Sequence, residues 1–247
     1  MKKYLHAYAM CQSMFCAIPC PFKVWDEKAR SCMLLFLPVI GLEIGALWVG
    51  LKWLLGFLQV PYLVLALVLC AFPYLVTGFM HLDGFMDVTD AVCSWRDLNR
   101  RREILKDSHV GSFAVVWCVF LLLGSFAFWA SVPEEADYFC MILVPVVSRC
   151  CSAMAVLKLK PMSTSQYAEK EKAAGWHLAV LAAAVLLCVL IGFLCFGKYG
   201  FVLIGALIGY AFALRRSYRS LEGMNGDISG YCLTISELCA VAVLALL

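Results

Sequence analysis

The sequence has few charged residues and lacks several patterns that would indicate other classes of protein. Only 15% of its 247 residues are Asp, Glu, Lys or Arg, whereas about a quarter of a soluble domain is charged. Its 14 cysteines include no CxxC pair and no spaced Cys/His quartet, which favours reduced cysteines used as small apolar side chains. No GxxxxGK[ST] loop occurs, so nothing indicates an ATP-driven pump. Polar residues and prolines interrupt the N-terminal segment, which is therefore unlike a cleavable signal peptide.

Long apolar runs make up most of the chain. Hydrophobic residues are 64% of it and its mean hydropathy is +0.87, as in a polytopic membrane protein. Because a helix needs about 20 mostly apolar residues to cross a bilayer, we predict an all-α bundle of six or seven transmembrane helices, forming one integral membrane domain over residues 1–247. An amphipathic segment at the membrane surface is predicted to precede the spans. The predicted spans are 32–56, 60–80, 111–131, 138–157, 176–196, 198–214 and 231–247, and the fifth and sixth could form a tight hairpin.

Positive charge lies almost entirely on one side of this predicted bundle. Seventeen of the 20 Lys and Arg residues precede the first span or occupy alternate connections, including Lys170 and Lys172 between the fourth and fifth spans. The other side has Lys198 alone, in addition to the acidic loop SVPEEAD. Since Lys and Arg mark the cytoplasmic side of a membrane protein, we expect the N-terminus and the longer connections to be cytoplasmic.

Three aspartates follow the second predicted span, in GFMHLDGFMDVTDAV. On a helix, Asp83, Asp87 and Asp90 fall within about 60° of one another and repel. Hard divalent cations take oxygen ligands, and Mg²⁺ is commonly held by one or two carboxylates and substrate phosphates. The cluster therefore favours a magnesium site, and the alternative is a solvated helix end paired with the arginines that follow. His81 lies on roughly the opposite side of this helix and is less suited to the same ion.

Two further polar segments carry candidate site residues. In SWRDLNRRREILKDSHVGSF, Arg100 belongs to a basic strip that either binds phosphate or anchors the cytoplasmic face. Lys106, Asp107 and Ser108 follow it and bring a cation, an acid and a hydroxyl to the start of the third span. In LEGMNGDISGYCLTISE, glycines that include Gly226 let a backbone approach a ligand closely, and Asp227 lies among them.

Three ionisable residues fall inside predicted spans. Glu237 is either a functional group or a helix–helix hydrogen bond. Glu43 has the same ambiguity, and its plain surroundings favour packing. Arg149 either pairs with one of these acids, binds a substrate phosphate or extends to the cytoplasmic face. Acids for a metal, cations for phosphate and glycines for close approach are together typical of phosphoryl-group transfer.

The order of these segments resembles the cobalamin synthase family, the adenosylcobinamide-GDP ribazoletransferases. Its signature is similar to H-L-D-G-x-x-D-x-x-D, and the later blocks resemble EILKDSHVGSF, VVSRC and GMNGDISG followed by ISE. Asn225 stands where the family usually has Thr. The resemblance implies that a hydroxyl of α-ribazole, or of its 5′-phosphate, attacks the diphosphate of adenosylcobinamide-GDP and releases GMP, with Mg²⁺ as the cofactor.

The resemblance also implies roles for the candidate residues. Asp83, Asp87 and Asp90 would hold Mg²⁺, and Lys106 would neutralise developing charge. Asp107 or His81 would be the base for the hydroxyl. Substrate-binding residues would be Arg100, Ser108, Arg149, Gly226, Asp227 and Glu237.

Two other functions are alternatives at this point. A CDP-alcohol phosphotransferase also uses membrane aspartates, but its D-G-x-x-A-R signature is not met after Asp83-Gly84. A transporter would carry its acids near the bilayer midplane, whereas here most of them lie at one edge. We expect the lipid bilayer and the two small-molecule substrates as partners, without nucleic acid. We also expect location in a prokaryotic cytoplasmic membrane with the active site on its cytoplasmic side.

Overall fold

The computed structural model describes residues 2–162 and 175–247, and these residues form a bundle of α-helices. No strand is assigned within them, apart from an isolated bridge between Pro161 and Met224, so the predicted all-α class is confirmed. Lys170 and Lys172 lie outside the described residues. The helices are α1 (Lys2–Phe15), α2 (Glu27–Met33), α3 (Leu37–Phe57), α4 (Tyr62–Val76), α5 (Met80–Cys93), α6 (Leu98–Ile104), α7 (Ser112–Trp129), α8 (Val144–Lys158), α9 (Gly175–Phe196), α10 (Phe201–Leu221) and α11 (Gly226–Leu246).

Several of these helices are long and apolar enough to cross a membrane. In the described part of the chain there are five such stretches, or six if the bent pair α4–α5 is one span. The upper count of six agrees with the lower end of the expected six to seven spans. The five stretches are Glu27–Phe57, Ser112–Trp129, Tyr138–Lys158, Gly175–Leu221 and Gly226–Leu246.

The stretch Gly175–Leu221 contains both of the spans predicted at 176–196 and 198–214. The chain reverses within it at the 3₁₀ turn Gly197–Gly200, where Gly197 has a φ of +57°. Beyond the turn, Leu203 lies against Gly192. A straight helix would separate these residues by about 16 Å, so α9 and α10 form a hairpin, as the sequence suggested.

The predicted span 60–80 is wrong at its C-terminal end. Helix α4 stops at Val76 after 15 residues, and α5 leaves it at an angle of 88°. The break consists of two consecutive left-handed residues, Gly78 with a φ of +59° and Phe79 with a φ of +62°. Thr77 Oγ1 caps the end of α4 by donating to the Pro73 carbonyl over 2.8 Å. The aspartates therefore lie on a helix of their own and do not extend the preceding span.

Helix α5 crosses α11 with its backbone in close contact. A Cβ added to Gly84 would lie 2.7 Å from the Asp227 carbonyl oxygen, and one on Gly230 would lie 3.1 Å from His81 Cα. Thr234 Oγ1 adds a hydrogen bond of 3.2 Å to the His81 carbonyl. Glycines at the crossing allow this approach, and it brings the first and third polar segments together.

The N-terminal helix α1 packs against the bundle on one side. Met10 and Cys11 are fully buried, and the Tyr8 hydroxyl donates to Glu43 Oε1 of α3 over 2.7 Å. That hydrogen bond, together with burial, raises the pKa of Tyr8 to about 12. The interpretation of Glu43 as a packing residue agrees with this contact.

Candidate active site

A cavity of about 170 Å³ lies between α5, α8 and α11. Five of the residues that the sequence singled out line it: His81, Asp83, Arg149, Gly226 and Asp227. The end of α1 and the segment leading into α3 add apolar side chains to the wall, and further residues of α5, α8 and α11 complete it. The fold therefore brings the first and third polar segments and the arginine of α8 into one site.

Arg149 is held in this site by a buried ion pair with Glu237. Its Nη1 donates to Glu237 Oε1 over 2.7 Å, and the two side chains are 1% and 9% exposed. Ser148 Oγ also donates to Glu237 Oε1, over 3.3 Å. Of the alternatives for Arg149, pairing with an acid is the one that the structure contains, and Glu237 makes a helix–helix contact. Glu237 itself is not among the residues that line the cavity.

The second terminal nitrogen of Arg149 has no partner among the residues that the structure describes. In residues 2–162 and 175–247, Arg149 Nη2 is buried without a hydrogen bond, while the side chain lines the cavity. Leaving a buried donor unsatisfied is unfavourable, and more so for a charged group. Guanidinium groups bind phosphate and carboxylate oxygens through paired N–H donors, so the arrangement suits an anionic ligand in the cavity.

Carboxylates lie together on the other side of the cavity. Asp83 is exposed and Asp87 is half-buried on α5, and the charges of Asp83, Asp90 and Asp227 all repel that of Asp87. Asp227 comes from the first turn of α11, opposite Gly84. Asp83 and Asp227, from two helices, therefore share the cavity with the buried guanidinium of Arg149.

Asp90 accepts two backbone hydrogen bonds from the start of α7, and its predicted role as a Mg²⁺ ligand stays a prediction. It is 8% exposed, and its two oxygens accept the backbone N–H groups of Gly111, over 2.6 Å, and Ala114, over 2.9 Å. These are donors that the start of a helix leaves unsatisfied, so Asp90 caps α7 from a neighbouring helix. The pattern of three acids did not reveal this because the partner donors lie 21 and 24 residues away.

The predicted ligand set of three aspartates is not assembled in the described residues. Among them, no group of three or more His, Cys, Asp or Glu side chains is placed to hold a metal ion. Asp83 and Asp87 still fit Mg²⁺, since they are adjacent on one helix face, hard oxygen donors and accessible, and Mg²⁺ needs only one or two carboxylates besides phosphates and water. Asp227 is a further oxygen donor, close enough to interact electrostatically with both of them.

The second polar segment lies outside the cavity. Arg100, Lys106, Asp107 and Ser108 are all exposed and are absent from its wall. Arg100 Nη1 pairs with Glu103 Oε2 over 2.7 Å. Asp107 accepts the backbone N–H of His109 over 3.0 Å and contacts its ring, and these contacts hold the pKa of Asp107 below its usual range.

The arginines after Arg100 serve the fold. Arg102 Nε donates to the carbonyl of Leu221 over 2.9 Å, and Arg101 Nη1 to that of Ser220 over 3.3 Å. The last carbonyls of a helix have no partner within it, so these side chains cap α10. Part of the basic strip is thus neither a phosphate clamp nor a free surface anchor.

Two features of the site were missed in the sequence. Asn225 caps α11 by accepting the Ile228 N–H over 3.0 Å, and its Nδ2 holds Asp227 Oδ2 at 2.6 Å. Ser152 and Ser229 line the cavity and are hydrogen bonded to each other. An Asn immediately before an apolar helix is a recognisable N-cap signal, whereas nothing local links serines on separate helices.

Comparisons with known proteins agree on one family. The sequence model of the family described as cobalamin-5-phosphate synthase matches residues 7–245. The chain is 36% identical over 252 residues to the adenosylcobinamide-GDP ribazoletransferase of Clostridium perfringens strain 13, with 100% of both chains covered. It is 29% identical to that of Clostridium botulinum strain Alaska E43, with 96% of each chain covered. The protein of the same name from Methanosarcina barkeri strain Fusaro is 28% identical, with 100% of this chain and 94% of the relative covered.

No solved structure matches the chain. The family model covers nearly all of the sequence, including every segment on which the resemblance rested. The chain therefore belongs to the cobalamin-5-phosphate synthase family.

Proposed function

We propose that this protein is an adenosylcobinamide-GDP ribazoletransferase, which joins α-ribazole or its 5′-phosphate to adenosylcobinamide-GDP and releases GMP. The observation that carries the proposal is Arg149 Nη2, a buried donor without a partner in the described part of the chain, at a cavity that also contains Asp83 and Asp227. A guanidinium for phosphate beside carboxylates for a metal suits a diphosphate substrate. The names of the relatives supply the substrate pair, and family membership sets aside the phospholipid-transferase and transporter alternatives.

The chemistry at the site follows from these groups. The attacking hydroxyl oxygen forms a bond to the phosphorus that carries the cobinamide, the bond from that phosphorus to the bridging oxygen breaks, and GMP leaves with the electron pair. Arg149 binds the diphosphate and keeps its orientation, since Glu237 fixes the guanidinium. Positioning and charge stabilisation provide most of the catalysis in such transfers.

Asp83 and Asp87 would hold Mg²⁺, with Asp227 as a further oxygen donor. When bound, the ion would neutralise part of the negative charge of the diphosphate. Asp90 is not part of this proposal, because both of its oxygens cap α7.

His81 is the proposed base for the attacking hydroxyl. The sequence left His81 and Asp107 as alternatives, but His81 lines the cavity together with Asp83. Asp107 lies outside the cavity wall and already accepts the backbone N–H of His109. The proposed reaction side is cytoplasmic, in a prokaryotic cytoplasmic membrane, because positive charge concentrates on the connections next to α5 and α11.

The proposal is tested with membranes that carry the protein, incubated with adenosylcobinamide-GDP, α-ribazole and Mg²⁺. GMP and a complete corrinoid of the expected mass are the products. Asp83→Asn should abolish both, whereas Glu103→Gln, an exposed acid outside the cavity, should not. Inserted protein that yields no product with α-ribazole or with its 5′-phosphate would reject the proposal.

A further inference from the structure

A second cavity lies on the other side of the α5–α11 pair from the candidate active site. It measures about 340 Å³ and has walls from α7 and α10 over a floor from α5 and α11. Phe85 and Tyr231 form that floor, with their rings stacked at 5.6 Å between centroids. We refer to this cavity as the α7–α10 groove. Its volume is within the range of small-ligand sites, and the proposed reaction does not use it.

No described residue lines both cavities. Phe85, Thr89 and Val92 line the groove, and on a helix they lie about 180° from Asp83 and Asp87. On α11, likewise, Tyr231 lines the groove, whereas Ser229 and Leu233, each about 160° away from it on the helix, line the candidate active site. A ligand in the groove would therefore not contact the reacting groups.

The groove opens toward the surroundings of the bundle. Trp117 is 48% exposed, Phe120 64% and Phe212 61%, and these residues line it from α7 and α10. Both helices belong to candidate membrane spans. Aromatic side chains exposed on membrane-spanning helices face the lipid, so lipid chains can enter the groove from the side.

One end of the groove carries a positive charge. Arg216 lines it, and its Nη2 lies 4.0 Å from the sulfur of Cys93, a long contact. Within residues 2–162 and 175–247, no carboxylate forms an ion pair with Arg216. Arg215 and Arg219 are exposed beside it, which makes this end of α10 strongly cationic.

We propose that the α7–α10 groove binds an anionic phospholipid, with an acyl chain between α7 and α10 and the phosphate at Arg216. An apolar slot that opens to the bilayer fits the chain, and an arginine without a carboxylate partner fits the headgroup. Arginine favours phosphate oxygens, and basic residues at the membrane surface attract anionic lipids. The inference is independent of the reaction catalysed at the other cavity.

Native mass spectrometry of the detergent-purified chain tests the headgroup contact. Phosphatidylglycerol and phosphatidylcholine with identical chains are added at equal concentrations. We expect at least fivefold higher retention of phosphatidylglycerol, lost in Arg216→Gln and kept in the matched control Arg215→Gln, since Arg215 carries the same charge but does not line the groove. Glycerol 3-phosphate, which has no acyl chain, should not displace the lipid.

Equal retention of the two lipids would overturn the proposal. An equal loss of phosphatidylglycerol retention in Arg216→Gln and Arg215→Gln would also overturn it, because the effect would then come from general surface charge. Displacement of the lipid by glycerol 3-phosphate would overturn it as well.

A fluorescence measurement tests the acyl chain without changing Arg216. Phosphatidylglycerol with brominated chains quenches nearby tryptophans, and Trp117 lines the groove. We expect the quenching to be stronger than with brominated phosphatidylcholine and the excess to disappear in Trp117→Phe. If the excess survives in Trp117→Phe, the chain lies elsewhere and the groove assignment is wrong.

Discussion

Arg149 Nη1 and Glu237 Oε1 lie 2.7 Å apart inside the bundle and join α8 to α11. The pair occupies one terminal nitrogen of the guanidinium, and the other is directed to no group in the described residues. Glu237 thus fixes the orientation of an arginine that still has a donor for a ligand. The distinction between the two nitrogens leads to separate predictions for stability and for activity.

Removal of Glu237 should destabilise the fold. Glu237→Ala leaves a buried guanidinium without its counter-charge, and breaking a buried pair in this way costs about 3–5 kcal/mol. Thermal unfolding in detergent measures it. Glu43→Ala is the comparison, because loss of its part-buried hydrogen bond to Tyr8 should cost only about 1 kcal/mol. Equal effects of the two variants would contradict a special role for the ion pair.

Arg149→Lys should weaken substrate binding more than it weakens the fold. Lysine keeps the charge opposite Glu237 but lacks the fork of donors. A hydrogen bond to a charged group contributes about 1.5–3 kcal/mol, and each 1.4 kcal/mol is tenfold in affinity. We therefore expect KM for adenosylcobinamide-GDP to rise about 10- to 100-fold, measured by GMP release. An unchanged KM would show that Nη2 does not contact this substrate.

The reaction should depend on Mg²⁺ through Asp83 and Asp87. A chelator should stop GMP release and added Mg²⁺ restore it, and Asp83→Asn should lower kcat by about 100-fold or more, as loss of one preorganised electrostatic group does. Asp87→Asn should raise the Mg²⁺ concentration needed for half-maximal rate. Full activity of either variant at limiting Mg²⁺ would remove that carboxylate from the proposed site.

Asp90→Asn should act on stability instead. The variant replaces one acceptor of the Gly111 and Ala114 N–H groups with a donor, and loss of a hydrogen bond to a charged group costs about 1.5–3 kcal/mol. The unfolding temperature should fall while the Mg²⁺ requirement of the remaining activity stays as in the wild type. If the Mg²⁺ requirement rises as it does for Asp87→Asn, Asp90 is a ligand after all.

The pH–rate profile should distinguish His81 from Asp107. A general base must be deprotonated to act, so activity should fall on the acid side, and His81→Asn should remove that limb together with about 10²–10⁴-fold of the rate. Because contacts with His109 lower the pKa of Asp107, this carboxylate stays charged through neutral pH. Asp107→Asn should leave the acid limb of the profile unchanged, and a lost acid limb in that variant would make Asp107 the base.

The sequence was sufficient for the membrane class and for several members of the site. Length and hydropathy identify spans because the bilayer imposes them, and acids or arginines in apolar surroundings are costly enough to mark function, as at Asp83 and Arg149. The break between α4 and α5 at Phe79 was not predicted, because hydropathy does not encode a left-handed φ. The sequence also did not predict which acid pairs with Arg149 or that Asp90 caps α7. In both cases helix packing, and not spacing along the chain, sets the partner.

The burial of Arg149 also constrains how the chain is made. Its partner Glu237 lies 88 residues further along, and synthesis proceeds at about 5–20 residues per second. Helix α8 therefore leaves the ribosome roughly 4–18 seconds before the counter-charge of its arginine exists. During that interval α8 has an uncompensated cation and cannot settle stably in hydrocarbon by itself. Assembly is complete only when α11 arrives, so chains truncated before Glu237 should be recognised by membrane quality control and degraded.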